Sequence, residues 1–246
     1  WAIHHRGHAA PTSHQVSRIQ FRCAAAVNLC GGQALNFDAA AFHEHSPLAV
    51  LSDGANGTPH GGAIASALCE RLIQQACTDT MLRPSDFQAL SNQLELEWPD
   101  SGATLLLLQA NETALELYGV GDSYAEVFQS RAKDWESAHR LARQVDEEDH
   151  PTQLIGADVP ISPEHHRISV GPAASRWAAF LMSDGAGGFL STADLREQLL
   201  AIGDETPSEH DLLFCAETLA QTAISRGSED DTSVLIAWID FKAAKQ

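Results

Sequence analysis

Basic side chains are scarce in this 246-residue chain. Lys and Arg number 15 against 33 Asp and Glu, a formal net charge of −18. A surface this acidic repels polyanions, so neither nucleic acid nor an anionic membrane is an expected partner. The charge is spread along the chain and not gathered into a tail. Its ordinary use is solubility, with a minority of carboxylates left over to hold hard cations. Cysteine is also sparse: Cys23, Cys30, Cys69, Cys77 and Cys215 are odd in number and include no C-x-x-C pair. A zinc knuckle, a redox dithiol and a disulfide framework are thereby disfavoured. Free thiols fit a reducing cytoplasm, which is the expected location. No apolar run approaches the ~20 residues of a membrane span, and no signal-peptide pattern opens the sequence. A G-x-S-x-G element is absent too, which argues against a serine nucleophile of the hydrolase type.

What remains is an ordinary globular composition, 44% hydrophobic and 20% charged, with ample length for one sizeable core. Residues 1–16 are rich in His, Ala, Ser and Pro without apolar periodicity. They are expected to form a flexible tail, with His4, His5, His8 and His14 in it, and not a metal site. One domain is expected over 17–241, with a second short tail at 242–246.

Ile19 to Val27 reads as a strand. Residues 48–52 form an apolar run that stops at Asp53-Gly54, as a buried strand ending in a turn does. Ile64, Leu68, Leu72, Ile73 and Ala76 fall on one helical face. Ser85 and Asp86 are candidate caps for a second helix carrying Phe87, Leu90 and Leu94. Three strand-like runs follow, 103–110, 114–120 and 124–129, joined by tight turns as in an antiparallel meander. Residues 130–165 are polar and read as a helix followed by an irregular segment. Their acidic run, Asp146 to Asp149, reads as a solvated face. Residues 177–182 are another buried strand, 192–202 and 208–226 are helical, and 232–239 is the closing strand. Strands are not separated one by one by helices, so a parallel βαβ fold is disfavoured. The expected class is α+β, two antiparallel sheets with helices packed outside them.

Two of these strands end alike, at Ser52-Asp53-Gly54 and Ser183-Asp184-Gly185, and Asp230-Asp231 precedes the last strand. A carboxylate at a strand end is rigidly held yet reaches water, and the following glycine lets the backbone bend sharply. Several such carboxylates at one rim repel each other unless a divalent cation joins them, and Mg²⁺ or Mn²⁺ prefers these oxygen ligands. Taken singly, Asp-Gly at a strand end is also a common turn dipeptide.

The ordered set of motifs resembles the metal-dependent serine/threonine phosphatases, the protein phosphatase 2C type, in their compact bacterial form. Asn36-Phe37-Asp38-Ala39 is similar to the family's N-E-D-A, and Leu51-Ser52-Asp53-Gly54-Ala55-Asn56-Gly57 to its V-x-D-G-x-G-G. Ser101-Gly102-Ala103-Thr104 resembles S-G-T-T, and Gly119-Val120-Gly121-Asp122-Ser123 resembles the V-G-D-S turn. His150-Pro151 and Leu154-Ile155-Gly156 resemble the family's flap segment. Residues 180–185 resemble L-x-S-D-G and residues 227–234 resemble G-S-x-D-N-x-T-V.

The resemblance implies a four-layer αββα sandwich and a protein phosphatase acting on phosphoserine and phosphothreonine. It implies direct attack by a hydroxide bridging two divalent cations, Mn²⁺ or Mg²⁺. Asp53 would bridge both ions, the Gly54 carbonyl would bind one, and Asp184 and Asp230 the other. Asp38 would hold metal-bound water, and Asp122 with Asp184 a weaker third ion. The implied partners are a phosphoprotein substrate and a serine/threonine kinase or its targets. Two positions depart from the family: its metal-holding Glu is Phe37, and its phosphate-gripping Arg is Gln33, which makes only uncharged hydrogen bonds. Arg22, His43 and Glu44 are candidates to compensate. The alternative is an inactive or weakened pseudophosphatase that binds a phosphoprotein or kinase partner.

Overall fold

A computed structural model describes residues 2–4, 19–28, 36–76, 82–131, 134–170, 176–203 and 205–241. In chain order the elements are β1 (Ala2–His4), β2 (Ile19–Asn28), β3 (Asp38–His43), β4 (Leu48–Asp53), α1 (Gly61–Ala76), α2 (Pro84–Glu97), β5 (Leu105–Asn111) and β6 (Ala114–Val120). They continue with β7 (Tyr124–Arg131), β8 (Asp134–Arg140), β9 (Glu164–Ser169), β10 (Arg176–Met182), α3 (Asp184–Gly187), α4 (Thr192–Ile202), α5 (Glu209–Ser225) and β11 (Thr232–Phe241). A six-stranded sheet runs β1-β3-β4-β5-β6-β9, and a five-stranded sheet runs β2-β11-β10-β7-β8.

Side-chain alternation explains the layering. Along β4, Leu48 and Val50 face α1 and α2, while Ala49 and Leu51 face the other sheet. Along β11, Leu235, Ala237 and Ile239 face the other sheet, while Val234, Ile236 and Trp238 face α4 and α5. Both faces of the central strands are therefore buried, which is why they read as continuous apolar runs with no polar alternation. The expected four-layer αββα sandwich is the architecture found.

Several local expectations are corrected. Ala2–His4, expected in a flexible tail, forms β1 and pairs parallel with β3; backbone pairing there needs no apolar pattern. His5, His8, His14, Cys30 and Cys77 lie outside the described residues, whereas Cys23, Cys69 and Cys215 are free and buried. Helix α2 begins one residue before Ser85, at Pro84, and Asp86 accepts the Arg83 N–H at 2.8 Å. The meander is only two strands deep: β5 and β6 pair, but β7 crosses to the second sheet. The turn Gly121-Asp122-Ser123 makes that crossing, with Gly121 at φ +94°.

The helix expected after residue 130 is instead β8, which pairs antiparallel with β7. Trp135 is its one buried side chain, packed against Trp238, and the exposed Ser137 donates to the buried Glu126 at 2.5 Å, so a polar segment is held with almost no apolar pattern. The polar strand β9 was not legible either. It is fixed by polar partners: the buried Glu116 of β6 binds His165 at 2.8 Å and Arg167, and His165 stacks on Tyr118 with centroids 4.3 Å apart.

Candidate metal-dependent active site

Strand ends from both sheets meet at one rim of the sandwich. Asp38 opens β3 and Asp53 closes β4, and the two are register partners. Asp184 follows β10, Asp230 precedes β11, and Asp122 sits in the crossing from β6 to β7. Asp53, Asp122, Asp184 and Asp230 line one cleft of about 250 Å³ with Ala55, Asn56, Thr104, Asp149, His150, Pro151 and Leu154. A second cleft of about 260 Å³, between α4 and α5, holds none of these four aspartates.

Each carboxylate is positioned by its own backbone contacts. The Asp53 N–H donates to Thr104 Oγ1 at 3.0 Å, the Asp53 carbonyl accepts from Thr104 N at 2.8 Å, and Thr104 Oγ1 contacts Ser123 Oγ at 2.8 Å. One short network thus ties Asp53 to the turn that carries Asp122. Asp184 Oδ1 accepts the Gly185 N–H at 2.6 Å. Asp230 Oδ1 accepts from Asn56 Nδ2 at 3.0 Å and from the Asp231 N–H at 2.8 Å. The Ser183 hydroxyl donates to the Asp231 carbonyl at 3.2 Å and accepts the Ser233 N–H at 2.9 Å, which locks the Asp184 turn to the Asp230 turn. Asp231 also accepts the Phe37 N–H at 2.8 Å, tying in the segment that carries Asp38.

Close backbone approach explains two glycines. A Cβ on Gly54 would stand 2.4 Å from the Gly61 carbonyl carbon, where α1 begins, and one on Gly185 would stand 2.2 Å from the Asp231 carbonyl oxygen.

The electrostatics are those of crowded anions. Burial pushes the Asp38 carboxyl up to about 7, with Asp231 adding to the shift. Enclosure, and then the charges of Asp38 and Asp184, raise Asp53 well above the ordinary carboxylate range. Enclosure and Asp184 raise Asp122 to about 6. Enclosure also raises Asp184, with Asp230 adding to the rise and the contact with Asp53 opposing it. Neither oxygen of the buried Asp38 makes a hydrogen bond of normal geometry, although the Ser183 and Ser233 hydroxyls lie close enough to act on it. A buried carboxylate so poorly served by donors is costly. The donor set is all hard oxygen, and this crowding is what a divalent cation relieves. The residues present fit Mg²⁺ or Mn²⁺.

Asp53, Asp122, Asp184 and Asp230 are thus brought together as the sequence suggested, with Asp38 beside Asp53 and Gly54 at the same rim. Gln33 lies outside the described residues. Phe37 turns its ring against α1, so that a Cβ on Gly62 would meet it at 2.8 Å. The candidates to compensate are not at the cleft: Arg22 donates to the Pro207 carbonyl at 3.1 Å, and His43 closes the far end of β3.

Asn56, Thr104, Ser123, Asp231 and the loop 146–150 were not singled out as site residues. The polar residues flanking each Asp motif were the available signal for the first four. The acidic run is exposed, as expected, yet Asp149 and His150 reach the cleft. Asp146, Glu148 and His150 offer donor atoms within 4.8 Å of one another. Asp146 already accepts the Glu148 and His150 N–H groups at 2.9 and 3.0 Å, which shapes the loop and holds its carboxyl below the usual range.

No protein-family profile and no curated protein matches the sequence. Solved structures do match. The serine/threonine phosphatase Stp1 from Staphylococcus aureus superposes with a TM-score of 0.70 at 16% identity, covering 95% of this chain and 100% of that one. The chain has the protein phosphatase 2C fold. The same fold is matched in the catalytic domain of the phosphatase PstP in complex with two manganese ions (TM-score 0.69, 18% identity, 90% and 99% covered). PppA, a regulatory component of type VI secretion in Pseudomonas aeruginosa, is similar as well (TM-score 0.65, 19% identity, 89% and 97% covered). Within the protein phosphatase 2C fold, the aspartate cleft lies at the edge of the sandwich where strands of both sheets end. Among the described residues no helix is long and apolar enough to cross a membrane.

Proposed function

We propose that this chain is a metal-dependent phosphatase that hydrolyses phosphoserine and phosphothreonine on a protein substrate in the cytoplasm. The observation that carries the reading is the convergence of Asp53, Asp122, Asp184 and Asp230 in one cleft, with the buried carboxylate of Asp38, which makes no hydrogen bond of normal geometry, beside them. The manganese-bound structural neighbour supports Mn²⁺ or Mg²⁺ as the ion. Asp53, the Gly54 carbonyl, Asp184 and Asp230 would hold a metal pair, and Asp122 with Asp184 a weaker third ion.

Bound cations of this kind supply hydroxide at neutral pH and a clamp for phosphoryl oxygens. The chain's own residues supply position. Thr104 and Ser123 fix Asp53, Asn56 and the Asp231 N–H fix Asp230, and Ser183 keeps the Asp184 and Asp230 turns in register. Asp38, buried behind Asp53, would act as an acceptor for water bound to the metal pair.

A second reading, a pseudophosphatase that binds a phosphoprotein or kinase partner without turnover, is favoured by Phe37. Its packed ring places no oxygen donor where the resemblance calls for Glu. Hydrolysis of p-nitrophenyl phosphate and of a phosphothreonine peptide separates the two. Turnover with Mn²⁺ or Mg²⁺, abolished by chelator and by Asp53→Asn or Asp184→Asn, is the expected result. Folded protein inert at millimolar Mn²⁺ would leave the pseudophosphatase.

A further inference from the structure

A phosphomonoester entering this cleft meets a rim of carboxylates: Asp53, Asp122, Asp149, Asp184 and Asp230 all line it. Even a pair of divalent cations leaves that rim short of positive charge. Among the described residues, the arginine hydrogen-bonded to residues of the cleft wall is Arg143. Its Nε donates to the Asp122 carbonyl at 2.6 Å. Its two terminal nitrogens reach Asp149, Nη1 to Oδ1 at 2.9 Å and Nη2 to Oδ2 at 3.4 Å. The guanidinium lies over the Tyr124 ring, 4.5 Å from its centroid. Tyr124 in turn is pinned on Gly187, where a Cβ would stand 2.3 Å from the ring.

The backbone around Arg143 is equally fixed. The Gln144 N–H donates to the Gly121 carbonyl at 2.8 Å, and Gln144 Oε1 accepts the Gly121 N–H at 3.3 Å. The guanidinium is therefore pre-positioned beside Asp122, with little side-chain entropy left to lose on binding an anion. Its partner Asp149 differs. Asp149 is a non-glycine residue at φ +68°, in an exposed loop, and its side chain is 68% exposed. Ion pairs with so solvated a carboxylate hold weakly. The two-pronged face that Asp149 occupies is the same face that grips a phosphoryl group.

We propose that Arg143 is the phosphate-binding cation of this site and that Asp149 is a resident anion which the substrate phosphoryl group displaces. The inference rests on the metal-dependent phosphatase reading for its substrate class, but it concerns binding and is tested by binding. Asp149 then acts as a competitor built into the loop: it neutralises Arg143 in the empty site and sets a threshold for anion entry.

The test is calorimetric titration of phenylphosphonate, a non-hydrolysable phosphomonoester mimic, into the Mn²⁺-loaded full chain and its Arg143→Met, Arg143→Lys and Asp149→Asn variants. Turnover of p-nitrophenyl phosphate is measured in parallel. Arg143→Met is expected to raise Kd by ~10-fold or more, the scale of a lost charged hydrogen bond. Arg143→Lys is expected to recover only part of that loss. Asp149→Asn is expected to lower both Kd and KM several-fold, by roughly the strength of an exposed ion pair. An Arg143 that serves only as a strut between Asp122, Tyr124 and Asp149 predicts the opposite sign for Asp149→Asn, since removing the contact loosens the loop.

A Kd within twofold of the parent in folded Arg143→Met, unchanged or weaker binding in Asp149→Asn, or no binding by the parent overturns the proposal. Should Arg143→Met fail to fold, the exposed Asp149→Asn change decides alone. Turnover by the parent that is indifferent to position 143 would overturn this proposal and leave the phosphatase reading standing. Phenylphosphonate binding through Arg143 without turnover would do the reverse.

Discussion

Asp38 and Asp53 are register partners across the β3–β4 pair, so two carboxylates stand side by side at the same rim. Burial raises both, with the charge of Asp231 adding to the rise at Asp38 and the charges of Asp38 and Asp184 adding to it at Asp53. The pair is a liability to the metal-free fold and an asset only when a cation joins the cleft. Asp38→Asn is therefore expected to stabilise the metal-free protein, by about 1–3 kcal/mol for relief of an unsatisfied buried anion. That corresponds to roughly 2–4 °C in melting temperature per kcal/mol. The same change is expected to shrink the increase in melting temperature that Mn²⁺ produces. Thermal melts with and without Mn²⁺ measure both, and a destabilised metal-free variant would contradict the account.

Gly185 has no room for a side chain. With its Cβ position 2.2 Å from the Asp231 carbonyl oxygen, Gly185→Ala is expected to push the Asp184 and Asp230 turns apart. The cost of overpacking is about 1–3 kcal/mol, and Mn²⁺ affinity is expected to fall with it. Gly203→Ala provides the contrast, because a Cβ there meets nothing within 4 Å. It is left with only the strain of φ +84° and is expected to spare metal binding. Equal loss of Mn²⁺ binding in both would show that distance to Asp231 is not what matters.

Stability has two acid-sensitive windows away from the cleft. His139 of β8 stacks on His166 of β9, centroids 3.4 Å apart. Burial, and then the neighbouring His166, hold its pKa below the ordinary value, with Glu164 opposing. A histidine kept neutral by the fold contributes stability in full above its unfolded pKa of ~6.5, and loses it as pH falls below that value. His139→Gln is expected to flatten the melting-temperature profile between about pH 6.5 and 5. The second window belongs to Asp194, which caps α4 with Ser191 and is gripped by Arg226 at 2.7 Å through both terminal nitrogens. The Arg226 contact holds its carboxyl well below the usual range. Its contribution is present above the unfolded value of ~3.9 and is lost as pH falls below it. Asp194→Ala should thus cost about 0.5–2 kcal/mol at neutral pH and converge on the parent in strong acid. Parallel profiles for parent and variant would refute either assignment.

The layers and the cleft were legible in the sequence for different reasons. Runs such as 105–108 and 234–239 are apolar on both faces because each lies between a sheet and a helical layer, and that burial leaves an unmistakable trace. The aspartates were legible because each closes such a run at a glycine or a turn. The polar strands β8 and β9 were not, since Trp135 is the one buried side chain of β8 and the side chains of β9 are held by Glu116 and not by an apolar pattern. Arg143 was not legible for a related reason. Its importance arises from Asp122 and Tyr124, which only the crossing between the sheets brings beside it.

The most direct test of the central claim, that the convergent aspartates form a divalent-cation centre, is calorimetric titration of Mn²⁺ into metal-free protein beside Asp53→Asn and Asp184→Asn. The account predicts saturable binding of about two ions per chain, reduced in both variants while their folds persist. Absence of saturable binding at millimolar Mn²⁺, or binding untouched by either substitution, would contradict it.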